Sequence, residues 1–157
     1  MAVEQSQDKD QGRRSVEKTT GTLNGFLRGE MSAVEAYRQA LEKVGDASVR
    51  LQLQESARSH EDRAARLRNR IAQLGGKPSD TSGAWGSFAR LVEGGAKVFG
   101  VKAVLAALEE GEDHGIRLYR DELDDLDPAE RSFVMNDLLP EQQRTHDLMS
   151  GLKHSFH

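Results

Sequence analysis

The chain has 157 residues, no cysteine, 36% hydrophobic and 31% charged side chains, and a formal net charge of −4. That length suits one domain with a real core, while the charge argues against nucleic acid as the main partner, since phosphate binding needs a concentrated positive surface. The lack of cysteine excludes disulfides, thiolate metal sites and thiol catalysis, and no apolar run approaches the roughly 18 residues of a membrane span, so a soluble, cytoplasmic protein without a membrane partner is expected.

Residues 1–20 are polar and of mixed charge, and read as a disordered N-terminal tail before a folded unit over 21–157. The first helix is predicted to start near Leu23, with Thr22 capping it. Its inward residues step by threes and fours through Leu23, Leu27, Glu30, Val34, Tyr37, Leu41 and Val44. That is the seam of a helix packed side by side with others, with Glu30 as the odd member at its middle. Gly45-Asp46 closes this helix and opens the next, Asp46 serving as N-cap. The second helix carries Val49, Leu53, Ala57, His60, Ala64, Leu67 and Ile71, again with a polar residue, His60, at the centre. Arg63, Arg66, Arg68 and Arg70 fall off this seam and read as a solvated face, and Gly75-Gly76-Lys77-Pro78 is the stop.

A connector of about 77–100 is too long for a hairpin turn. Trp85, Phe88, Leu91 and Val92 at helical spacing predict a short amphipathic helix lying across the bundle, a long crossover of the kind some bundles use. Its sparse Lys/Arg content disfavours a membrane-surface role. The third helix, from near Val101, has Leu105, Glu109, Glu112, Ile116, Tyr119, Leu123 and Leu126 inward. Asp127-Pro128 with Glu130 predicts a capped start to the fourth helix. Its inward face is Phe133, Leu138, Leu139, Gln142 or Gln143, His146, Met149 and Leu152, and Pro140 inside it predicts a kink or break.

The two halves repeat one another. Gly29-Glu30, Tyr37-Arg38 and Leu41 return at the same intervals as Gly111-Glu112, Tyr119-Arg120 and Leu123. Leu53, Glu55, Arg58 and His60 likewise return as Leu139, Glu141, Arg144 and His146. The fold expected is therefore all-α, a four-helix bundle of two duplicated helical hairpins joined by a crossover. Folding each hairpin brings Glu30 level with His60, and Glu109 level with His146. Polar side chains converging in a bundle core are costly unless they satisfy one another or hold a cation. Carboxylate oxygen with imidazole nitrogen suits iron, manganese or zinc.

With its Gly-Glu openings, duplicated hairpins, crossover and late histidines, the sequence from about Leu23 to Phe156 resembles the ferritin-like superfamily, and within it the small bacterial four-helix-bundle proteins grouped as a domain of unknown function. That resemblance implies one glutamate on each of two helices and Glu-x-x-His on the other two. Glu30 and Glu112 match the lone glutamates, and His60 and His146 the histidines. Ala57 and Gln143 stand where the paired glutamates belong, so the two bridging carboxylates of a di-iron centre are absent and an enzyme is not expected.

Two readings remain open at this point. In one, Glu30, His60, Glu112, His146 and Glu109 bind iron, manganese or zinc, with Tyr37, Tyr119 and Gln143 orienting the ligands from behind. In the other, the same residues form a metal-free polar layer that fixes helix register, and the protein is a helical interaction or stress-associated scaffold module. Trp85 and Phe88 would then dock a partner or a second copy, giving a homodimer through the bundle or the crossover helix. Glu55 and Glu141 read as surface partners of Arg58 and Arg144.

Overall fold

The computed structural model describes residues 1–83 and 100–155, and shows a four-helix bundle in which those residues include no strand. α1 is Ala2–Lys43 and α2 is Ala47–Gln73. α3 is Val101–Asp121, followed by a single 3-10 turn at Leu123–Asp125. The fourth helix, α4, is continuous from Pro128–Phe133 through a π turn at Val134–Leu138 into Leu139–Ser155. α1 packs along α2 and α3 along α4, and the hairpins meet through α1 against α3 and α2 against α4. The amphipathic crossover predicted around Trp85 and Phe88 lies outside the described residues.

The first turn differs from expectation. α1 begins at Ala2 rather than near Leu23, and Thr22 is an internal residue whose hydroxyl bonds back to the Lys18 carbonyl. The segment read as a disordered tail is helix, although its side chains stay exposed over most of its length. It joins the fold from Thr19, whose hydroxyl donates to Asp127 Oδ1 at 3.2 Å. Asp46 does cap α2, accepting from the Val49 N–H at 2.9 Å. At the other end Gly75 takes φ +81°, which only glycine adopts without strain. The Gly76 N–H then reaches back to the Ile71 carbonyl, satisfying an orphan acceptor of the last turn. A side chain at Gly76 would force a shift, since a Cβ there would lie 2.7 Å from Thr20 of α1.

Pro140 does not end α4, which continues through it to Ser155. A proline cannot donate to the carbonyl four residues back, and the turn before it widens so that the Leu139 N–H bonds the Val134 carbonyl. The capping pattern at Asp127 is also not formed. Asp127 makes no cap bond with its side chain, and Glu130 turns away to a bidentate pair with Arg70 at 2.6 and 2.7 Å.

Apolar residues fill the bundle at two levels. One cluster joins Tyr37, Ala40, Leu53, Leu105, Leu108 and Met149, and the other joins Leu23, Phe26, Leu27, Leu67, Ile71 and Leu138. Each large side chain so buried stabilises the fold by about 1.5–3 kcal/mol relative to exposure. Between the two clusters the interior is polar.

Candidate functional site

Four side chains at mid-depth are each at most 3% exposed: Glu30 of α1, His60 and Arg63 of α2, and Glu112 of α3. His60 bridges the two carboxylates. Its Nδ1 lies 2.5 Å from Glu30 Oε2 and its Nε2 lies 2.7 Å from Glu112 Oε1. For both nitrogens to donate, the ring must carry two protons. Arg63 completes the layer. Its Nη1 is 3.3 Å from Glu30 Oε1 and also donates to Gln142 Oε1, its Nη2 donates to Thr145 Oγ1 at 3.2 Å, and its Nε donates to the Ser59 carbonyl at 3.3 Å.

The repeated tyrosines have an unexpected partner. α1 and α3 run antiparallel, and seven residues is about two turns, so each tyrosine comes level with the glutamate of the other helix. Tyr37 donates to Glu112 Oε1 and Tyr119 to Glu30 Oε1, both at 2.5 Å. Glu112 further accepts from Gln142 Nε2 at 2.5 Å and from Thr145 Oγ1 at 2.8 Å. The duplicated Gly-Glu and Tyr-Arg sequence therefore encodes a reciprocal exchange of hydrogen bonds across the bundle axis.

Charge in this layer is balanced by the protein alone. Burial by itself raises the Glu30 carboxyl, but the Arg63 guanidinium and the His60 imidazole outweigh it and hold the group below its ordinary range. Glu112 is lowered in the same way, burial being overcome by His60 first and then Arg63. Burial and the nearby guanidinium lower His60, yet the two carboxylates more than offset them and its pKa is raised. Arg63 Nη2 does lie 3.0 Å from His60 Nδ1, a cation beside a cation, which the two carboxylates hold in place. Burial, then the facing carboxylate, push both tyrosines well above their ordinary value, so they stay neutral donors. Two carboxylates thus face one guanidinium and one imidazolium.

The five proposed ligands do not assemble. Glu30, His60 and Glu112 come together, whereas His146 and Glu109 lie on the outer side of the α3–α4 seam. From Leu138 onward the buried positions of α4 are Leu138, Gln142, Thr145, Met149 and Leu152, alternating steps of four and three. His146 follows Thr145 and is rotated about 100° from that line. There its Nε2 lies 2.6 Å from Asp113 Oδ1 and its Nδ1 lies 3.2 Å from Asp147 Oδ1. Gln143, expected behind the ligands, points outward and donates to Asp147 at 2.9 Å. Arg70 is also not simply a solvated residue, given its pair with buried Glu130.

Sequence reasoning put Arg63 on a solvated face and missed Thr145, and of the two inward alternatives Gln142 and Gln143 the structure takes Gln142. Arg63 stands three residues after His60 and four before Leu67, so it fits the seam as well as Ala64 does; its charge argued for the surface. A cavity of about 420 Å³ between α1 and α3 reaches this layer past Gly29, Ala33, Gly111 and Gly115, with Tyr119 and His60 among its lining groups.

A family model described as a domain of unknown function, DUF2383, matches residues 18–125. No curated protein matches the chain in sequence. Among solved structures, it is similar to a crystal structure described as ferritin like, diiron-carboxylate proteins from Bacillus anthracis strain Ames. The identity is 18% and the TM-score 0.71, over 88% of this chain and 97% of that one. At that identity the likeness is one of fold.

Proposed function

The chain belongs to the DUF2383 family and has a ferritin-like fold, and from that premise we propose that it is a non-catalytic helical module whose core holds two protein cations where a carboxylate bundle would hold metal. The observation that carries this reading is Arg63. Its guanidinium is fully buried beside the carboxylate pair and bonded to Glu30, Gln142, Thr145 and the Ser59 carbonyl. A di-iron centre does not fit these residues. Ala57 and Gln143 offer no bridging carboxylate, and both ring nitrogens of His60 are engaged by glutamates. A metal entering here would have to meet a guanidinium that cannot lose its proton. The hydrogen-bonded layer instead specifies which helix faces meet, the best-attested use of buried polar groups.

No free nucleophile or base faces the cavity from this layer, because each carboxylate, imidazole and phenol is bound to another. Under this reading the outer surface carries the biological role, and Trp85 and Phe88 contact a second copy of the chain. Sedimentation of Trp85→Ala tests that contact, a shift from dimer to monomer being expected.

The core is tested with ferrous iron. Untagged protein should oxidise it no faster than buffer does, and Glu112→Gln should not alter the rate. Rapid iron oxidation that disappears in Glu112→Gln would overturn the proposal.

A further inference from the structure

Outside the core, α3 and α4 bring together a second set of groups with metal-binding chemistry. Glu109 and Asp113 are four residues apart on α3, and so share one stripe of that helix. His146 of α4 faces them. One ligand atom from each of the three lies within 4.8 Å of the others, and all three side chains are half-buried. We propose that Glu109, Asp113 and His146 form a mononuclear site for a divalent transition-metal ion, zinc by donor set, independent of the polar core.

Three observations carry this. The first is the donor set itself: one imidazole nitrogen and two carboxylate oxygens are zinc ligands, and three protein ligands leave a fourth position for water. The exposed side of Asp113, 46% accessible, is where that water would sit.

The second is the orientation of His146. Its Nδ1 is 3.2 Å from Asp147 Oδ1, and Asp147 is itself held by Gln143 Nε2 at 2.9 Å. A carboxylate on one ring nitrogen fixes the tautomer and turns the other nitrogen toward the metal. Here that other nitrogen, Nε2, faces Asp113 Oδ1 at 2.6 Å, and a side chain 46% exposed has room to turn and admit an ion between them, as the buried glutamates on either side of His60 do not.

The third is Glu109. Its Oε2 is closed off from water and has no hydrogen-bond partner. A buried carboxylate oxygen held by one long ion pair and no hydrogen bond is poorly satisfied, and a bound cation would satisfy it better. The cation now nearest is the Lys153 ammonium, 3.4 Å away on a side chain 38% exposed. Lys153 is therefore a loosely held competitor that can withdraw to solvent. All these groups stand on helices, so the site is supported by rigid elements rather than by loops.

The experiment uses the full untagged chain carrying His154→Ala and His157→Ala, so that tail histidines do not contribute. Zinc binding is measured by competition with a chromophoric chelator, and cobalt absorption reports coordination number. The expected result is one saturable equivalent of zinc, weakened at least tenfold by Asp113→Asn and by His146→Gln, with circular dichroism confirming that both fold. Lys153→Gln should tighten binding several-fold, which no purely structural role for this cluster would produce. His60→Gln should leave affinity unchanged. Absence of saturable zinc binding overturns the proposal, as does binding insensitive to Asp113→Asn and His146→Gln. Binding lost in His60→Gln alone would place the metal in the core and overturn both this site and the proposed function.

Discussion

Replacing Arg63 by methionine keeps much of the side-chain volume and removes the charge. Glu30 and Glu112 would then face a single imidazolium, leaving one uncompensated negative charge in a layer at most 3% exposed. Breaking a buried ion pair from one side costs about 3–5 kcal/mol, because the remaining charge stays buried. Gln142 Oε1 and the Ser59 carbonyl lose their guanidinium donors as well. For a chain of this length each kcal/mol moves the melting temperature by roughly 2–4 °C, so Arg63→Met should melt roughly 6–20 °C lower. If the excess charge is the cause, Glu30→Gln in the Arg63→Met background should recover stability instead of losing more. The double-mutant cycle should show a coupling of at least ~1 kcal/mol. Urea unfolding followed by circular dichroism measures all four proteins. A loss below ~1 kcal/mol for Arg63→Met, or strictly additive effects, would refute the account of a charge-balanced core.

The remaining predictions concern the same interior and its edges. Tyr37→Phe and Tyr119→Phe each remove one donor from a buried carboxylate, and each should cost about 1.5–3 kcal/mol in chemical denaturation, with similar losses because the bonds are equivalent. The raised pKa of His60 means that its stabilisation is fully present below its ordinary value of 6.5 and fades as pH rises through the folded value. The stability difference between wild type and His60→Gln, measured from pH 6 to 10, should therefore shrink with rising pH; a constant difference would contradict a protonated bridge. Glu30 and Glu112 are lowered, so their contribution is present above their ordinary 4.5 and is lost as pH falls through the folded values. Gly76→Ala should be destabilising by more than ~1 kcal/mol in thermal melts, since its new Cβ meets Thr20, and Gly45→Ala, with open space around it, should cost less.

Seam spacing and turn chemistry were enough to read four helices, two hairpins and a polar centre from residue order alone. Leu23, Leu27, Val49, Leu53, Leu67, Leu105 and Met149 leave no other economical way to bury apolar surface, and Asp46 and Gly75 mark where α2 starts and stops. The convergence of Glu30, His60 and Glu112 was legible for the same reason, as three polar residues interrupting three apolar seams at one depth. Which of two adjacent residues turns inward was not. Thr145 and His146 fit the three-and-four spacing equally well, and Arg63 turns inward beside Ala64, which is buried as its spacing predicts. The choice was made across the bundle, by hydrogen bonds to partners far away in sequence. A buried guanidinium is unfavourable alone and becomes favourable only where Glu30, Gln142 and Thr145 already surround it. Residue order supplied the charges, but only their meeting in three dimensions decided that they would neutralise one another.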